Sequence, residues 1–202
     1  MESKINIHVW NNNMLSINIP NLLTLLRILL IPVFIVCYYL PNTLGYVITT
    51  GIFTFACLTD WLDGYLARKL HQESRFGAFL DPVADKLIVV VALVLLVQSY
   101  GTALLSIPAV IIISREIVIS ALREIMAKYG SSKYVAVAYV GKVKTFLQMT
   151  SIAVLLSQPH VVDLSNYISF AGLILLYVSV VLTLWSMLVY LHASWSILHT
   201  AD

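Results

Sequence analysis

The chain has 202 residues, of which 60% are hydrophobic and only 11% charged, with a net charge of +2. A soluble domain of this length carries about 25% charged residues, so a water-soluble globular fold is excluded, and the chain is too short to add a separate soluble domain. The small charge excess offers no polyanion-binding surface, and no nucleic-acid partner is expected.

Residues 1–18 come first, as a polar lead-in. Met1 to Asn13 ends in Asn11-Asn12-Asn13; Met14, Leu15, Ile17 and Ile19 then alternate with polar residues up to Pro20. This pattern reads as a short N-terminal interfacial segment lying in the membrane plane, or as a structureless lead-in. Residues 19–202 read as one all-α integral membrane domain with six transmembrane helices: Asn21 to Leu40, Gly45 to Leu66, Ala78 to Gln98, Thr102 to Ile125, Tyr134 to Leu156 and Tyr167 to Leu191. Each approaches the about 20 residues a helix needs to cross hydrocarbon, and only helices satisfy every backbone group within the segment. The first apolar run is interrupted by Arg27 and lacks a small-residue cleavage site, so it is expected to remain as the first span rather than to be a cleaved leader. Cys37 and Cys57 sit inside apolar segments, as packed or lipid-facing side chains.

Lys and Arg set the expected orientation. The connections after spans 1, 3 and 5 contain none, whereas those after spans 2 and 4 carry Arg68, Lys69, Arg75, Lys128 and Lys133. Arg27, Lys86, Arg115, Lys142 and Lys144 lie within spans, in the half nearer that same side. The positive-inside rule makes this side cytoplasmic, with both termini inside. Of the ten acidic residues, only Asp163 falls on the other side. A charged site is therefore expected at the cytoplasmic ends of the spans.

Its centre is the stretch Asp60-Trp61-Leu62-Asp63-Gly64-Tyr65-Leu66-Ala67-Arg68, followed by Gly77, Asp81 and Asp85. Asp60 and Asp63 are three apart and Asp81 and Asp85 four apart, so each pair shares a helix face. The polar turn His71-Gln72-Glu73-Ser74 joins the two spans and should bring the pairs face to face. Four such carboxylates cannot all stay ionised near hydrocarbon without compensation. An oxygen donor set of this size suits Mg²⁺ or Mn²⁺, with two ions per site expected. Gly64 and Ala67 leave room beside the helix, for close packing or for a base or phosphate to approach. Arg68 can bind phosphate with both arms of its fork. Gly77 allows a sharp start to span 3, and Asp81 before Pro82 reads as a helix cap. The histidines are scattered, and Lys69 and Lys86 read as interfacial charges.

The pattern Asp-x2-Asp-Gly-x2-Ala-Arg-x8-Gly-x3-Asp-x3-Asp over positions 60 to 85 resembles the signature of the CDP-alcohol phosphotransferase family at every fixed position. Further stretches are similar to the bacterial branch that makes phosphatidylglycerophosphate: Ile19 to Arg27, Arg75 to Lys86, Arg115-Glu116-Ile117, Ser120 to Glu124, Gly141 to Thr145 and Leu182 to Met187. Met1 to Asn13 matches nothing in that branch.

The resemblance implies the CDP-alcohol phosphotransferase fold, a homodimer, and transfer of the phosphatidyl group of CDP-diacylglycerol to sn-glycerol 3-phosphate with release of CMP. It implies that Asp60, Asp63 and Asp81 are mainly metal ligands and that Asp85 also acts as general base. Asn21, Thr24 and Arg27 of span 1, with Asp63, Gly64, Ala67, Arg68 and Gly77, would line the CDP-lipid site. Thr24 could instead bond back to its own helix, and Arg27 could snorkel to the interface. The acceptor's phosphate needs its own cations, for which Arg115, Arg123, Lys142 and Lys144 are the candidates; alternatively Arg115 pairs with Glu116 or with a site carboxylate, and the lysines anchor the cytoplasmic side. Another acceptor, such as inositol phosphate, is the rival within the family. A cation transporter is the rival outside it, but transport would continue the carboxylates across the membrane, and the outer half is almost uncharged.

Overall fold

A computed structural model of the chain describes residues 19–41, 43–70, 75–128, 138–158 and 166–198; the side chains of 19–20, 61, 63–70, 75–79, 81, 123, 125–128, 138–140, 142 and 193–198 are outside that description. The described residues form six helices: α1 (Ile19–Tyr38), α2 (Thr43–Leu70), α3 (Arg75–Tyr100), α4 (Ala103–Lys128), α5 (Ala138–Leu156) and α6 (Tyr167–Leu198). The expected interfacial segment lies outside the described residues.

Five helices hold apolar windows long enough to cross a membrane: Asn21–Tyr38, Thr43–Asp60, Pro82–Tyr100, Ala103–Leu122 and Tyr167–His192. The chain is thus a multi-pass membrane protein. In α5 the apolar stretch among the described residues is shorter, Val143–Leu156, and includes Lys144. The predicted start of that span at Tyr134 lies outside the described residues.

The helices run past the predicted spans where the sequence turns polar. Helix α2 continues to Leu70 and α3 begins at Arg75, so the signature lies on continuous helix on both sides of residues 71–74. Hydropathy marks where hydrocarbon ends, whereas backbone hydrogen bonding continues into the polar layer. Two expectations are corrected by this. Gly77 and Asp81 do not begin or cap a helix: both lie inside α3, and Pro82 is an internal proline, which membrane helices tolerate.

Lipid is the outer solvent, so many large apolar residues are exposed while several polar and charged ones are buried. On α1, Leu22, Leu25, Leu29, Val33 and Val36 recur at helical spacing and are exposed, while Thr24, Arg27, Phe34 and Tyr38 share the buried face. Helix α3 lies between neighbours, touching α1, α2, α4 and α5. Its Ile88, Ala92, Leu93 and Leu96 fill the core with Phe34, Phe53, Ile112 and Ile152. Tyr38 Oη donates to the Leu95 carbonyl at 2.9 Å and accepts from Ser99 Oγ at 2.8 Å, fixing α1 to α3 at the end remote from the signature. There Gly101, at φ 59°, turns the chain into α4 through a left-handed helix terminus, its N–H donating to the Val97 carbonyl at 3.0 Å.

Helices α5 and α6 approach closely at Gly172. A Cβ there would stand 3.0 Å from Leu155 Cδ2 and 3.1 Å from Val154 Cγ1, and the Gly172 carbonyl accepts from Ser151 Oγ at 2.7 Å. Gly172→Val should lower stability by about 1–3 kcal/mol through overpacking, seen as a fall in Tm in detergent. Gly51→Ala is the control, since a Cβ at Gly51 meets nothing within 4 Å. Equal Tm values for the two variants would contradict the close approach.

Candidate active site

Three helices bring the signature together. Arg27 of α1 is 1% exposed, and it lies between carboxylates from α2 and α3. Its Nη1 donates to Asp60 Oδ1 at 3.3 Å and also to Asp85 Oδ1. The Asp60 and Asp85 side chains are 33% and 31% exposed. The guanidinium thus forms the floor and the carboxylates the open rim. Among the described residues, two carboxylates stand against one guanidinium, and a bilayer tolerates an excess of negative charge poorly without a further cation. The snorkelling alternative for Arg27 is set aside, because a snorkelling head would be exposed.

Asp63 is three residues after Asp60 on α2, and Asp81 is four before Asp85 on α3. Both backbones are helical; their side chains are outside the described residues, as are those of Arg68, Arg123 and Lys142. Gly64 and Ala67 fall in the last turns of α2, and Gly77 in the first turn of α3. Thr24 is fully buried one turn from Arg27, and Asn21 is half-buried one turn before that. Among the described residues no three His, Cys, Asp or Glu side chains converge. The two described signature carboxylates do meet at one positive group, and their donors are all oxygen. That chemistry fits a hard divalent cation held by Asp60 and Asp85.

A second cluster carries the opposite sign. Arg115 of α4 and Lys144 of α5 are 7% and 1% exposed. Both donate to the same oxygen, Glu116 Oε1, Arg115 Nη1 at 2.9 Å and Lys144 Nζ at 2.6 Å. Arg115 Nη2 donates to Ser186 Oγ of α6 at 2.8 Å, and Arg115 Nε is buried with no hydrogen-bond partner. Among the described residues, two cations stand against one carboxylate here. The pairing of Arg115 with Glu116 expected as an alternative is present, and a guanidinium beside an ammonium has the chemistry to bind an anionic group.

The clusters are tied together. Lys86, next to Asp85, donates to Ser120 Oγ, and Ser120 Oγ donates to the Glu116 carbonyl at 2.5 Å. Lys86 is therefore a strut between α3 and α4 rather than a plain interfacial charge. Ser186 was given no role from sequence. Its signal was available: Ser179, Thr183 and Ser186 recur at helical spacing along α6, and all three are buried.

Comparison with known proteins agrees with this geometry. The sequence profile described as CDP-alcohol phosphatidyltransferase matches residues 17–185. A CDP-diacylglycerol–glycerol-3-phosphate 3-phosphatidyltransferase of Salmonella typhimurium is 49% identical over 180 residues, covering 89% of this chain and 96% of that protein. One of the same name from Yersinia pestis is 50% identical over 183 residues, covering 90% and 97%. With Asp60 and Asp85 gathered at Arg27 and a match along most of its length, the chain belongs to the CDP-alcohol phosphatidyltransferase family.

Proposed function

We propose that this chain transfers the phosphatidyl group of CDP-diacylglycerol to sn-glycerol 3-phosphate, giving phosphatidylglycerophosphate and CMP. The observation that carries this reading is the pairing of two oppositely charged clusters: Asp60 and Asp85 around Arg27, tied through Lys86 and Ser120 to Arg115, Glu116, Lys144 and Ser186. A diphosphate held through cations and an acceptor held by its phosphate demand two such sites. Relatives with about 50% identity carry the name of this reaction.

The enzyme is metal-dependent, with Asp60, Asp63, Asp81 and Asp85 holding Mg²⁺ or Mn²⁺, two ions per site. When bound, the ions neutralise the diphosphate and the charge on the departing CMP. Asp85 takes the proton from the acceptor's primary hydroxyl as that oxygen attacks the β-phosphorus and the bond to CMP breaks. Arg115 and Lys144, with Arg123 and Lys142 nearby in sequence, hold the acceptor phosphate, and Ser186 orients the Arg115 fork. Asn21, Thr24, Asp63, Gly64, Ala67, Arg68 and Gly77 line the CDP-lipid site. The protein works as a homodimer in the bacterial inner membrane, with its active site and both termini facing the cytoplasm, where the water-soluble acceptor is found.

The test is CMP release from CDP-diacylglycerol in detergent micelles. Release should require glycerol 3-phosphate, stop with a chelator and return with Mg²⁺ or Mn²⁺. Equal release with inositol phosphate in place of glycerol 3-phosphate would move the reading to another acceptor. Ion flux in liposomes without any CMP would replace it with transport.

A further inference from the structure

We propose that Glu116 is a specificity-determining counter-anion of the acceptor site, which weakens the site's hold on phosphate and so selects against free inorganic phosphate. The inference rests on the reading that Arg115 and Lys144 receive the acceptor phosphate.

Glu116 Oε1 occupies the donors that an incoming phosphate needs. It takes both Arg115 Nη1 and Lys144 Nζ, at 2.9 and 2.6 Å. The Glu116 side chain is 22% exposed, against 7% for Arg115 and 2% for Lys144. The anion is thus the outermost of the three groups, and an anionic ligand reaches the cations past it. Two buried cations in a bilayer need a counter-charge while the site is empty, and Glu116 supplies it. A phosphate dianion then has to share those donors with a carboxylate of like sign, and this repulsion is large in a partly buried site.

The consequence is discrimination. Inorganic phosphate offers only its charge, so the repulsion from Glu116 applies to its whole binding energy. The acceptor brings, in addition, a glycerol backbone and a hydroxyl directed to Asp85, and these offset the repulsion. Repulsive elements of this kind are how sites reject a smaller competitor sharing the same anchoring group. The product keeps the same phosphate, so a weakened hold also favours its release.

The experiment uses the full-length protein in detergent and reads affinity for inorganic phosphate in two ways, as the phosphate-induced rise in Tm and as inhibition of CMP release. Glu116→Gln should tighten phosphate binding by about tenfold or more, the direction following from the lost like-charge repulsion. It should also lower the KM for glycerol 3-phosphate and leave the KM for CDP-diacylglycerol near that of the parent. Unchanged or weaker phosphate binding would overturn the proposal and leave Glu116 as a structural partner. Should that variant fail to fold, a charge-matched pair decides. Lys144→Gln leaves Arg115 neutralised by Glu116 and should lose phosphate binding, and adding Glu116→Gln to it should restore binding. No restoration would overturn the proposal. If the parent protein bound phosphate through these residues yet released no CMP with glycerol 3-phosphate, the functional reading would fall while the inference about Glu116 stood.

Discussion

Asp85→Asn is expected to lower turnover in CMP release by about 10²–10⁴-fold, the range that general-base action contributes, while moving the KM for CDP-diacylglycerol far less. Asparagine keeps the size of the side chain and an oxygen for Arg27 to contact, but it cannot take a proton from the acceptor hydroxyl. Asp60→Asn acts differently. Asp60 meets the same Arg27 Nη1 from the opposite helix and is assigned to the metals alone, so its loss should remove both activity and the response to added Mg²⁺. Initial rates across Mg²⁺ and CDP-diacylglycerol concentrations separate the two variants. Near-normal turnover in Asp85→Asn would take the base role from Asp85.

Arg27→Met should be the most destabilising single change at the site. Breaking a buried ion pair by removing one partner costs about 3–5 kcal/mol. Here the orphaned carboxylates are about one-third exposed, so solvent screening should bring the loss toward the lower end of that range or below it. The sign of the metal response is the sharper readout. A divalent ion supplies the positive charge that methionine lacks, so Mg²⁺ should raise the Tm of Arg27→Met more than that of the parent. Arg27→Lys should fall between the two, since it keeps the charge but loses the planar fork. If Mg²⁺ moved the Tm of Arg27→Met no more than that of the parent, Arg27 would not be the counter-cation of Asp60 and Asp85.

Much of this arrangement could be read in the sequence, and what could not has a common cause. Apolar runs of membrane length gave the helices because lipid leaves the backbone no alternative. The spacing of Asp60 with Asp63 and of Asp81 with Asp85 gave paired carboxylates on adjacent helices, and the structure brings Asp60 and Asp85 to one group. The partners of the buried charges were harder to see. Arg27 lies 33 and 58 residues from its carboxylates, Lys86 lies 34 from Ser120, and Arg115 lies 71 from Ser186. No local period encodes pairings at that range; they depend on how helices pack. The start of α3 was misplaced for another reason. Pro82 after Asp81 imitates a helix N-terminus, but α3 has already begun at Arg75.

The position of Arg27 also bears on biogenesis. A nascent chain grows at about 5–20 residues per second, so Arg27 of the first helix is made about 3–12 s before the ribosome reaches Asp85, 58 residues on. Over that interval its arginine lacks one or both of the carboxylates it meets in the folded chain, Asp60 arriving 33 residues on and Asp85 last, against an insertion penalty of about 2.5–3.5 kcal/mol for arginine at a helix centre. The first helix therefore settles stably only once the second and third have followed it through the translocon, and truncation before Asp60 should leave a fragment that the cell's proteases remove.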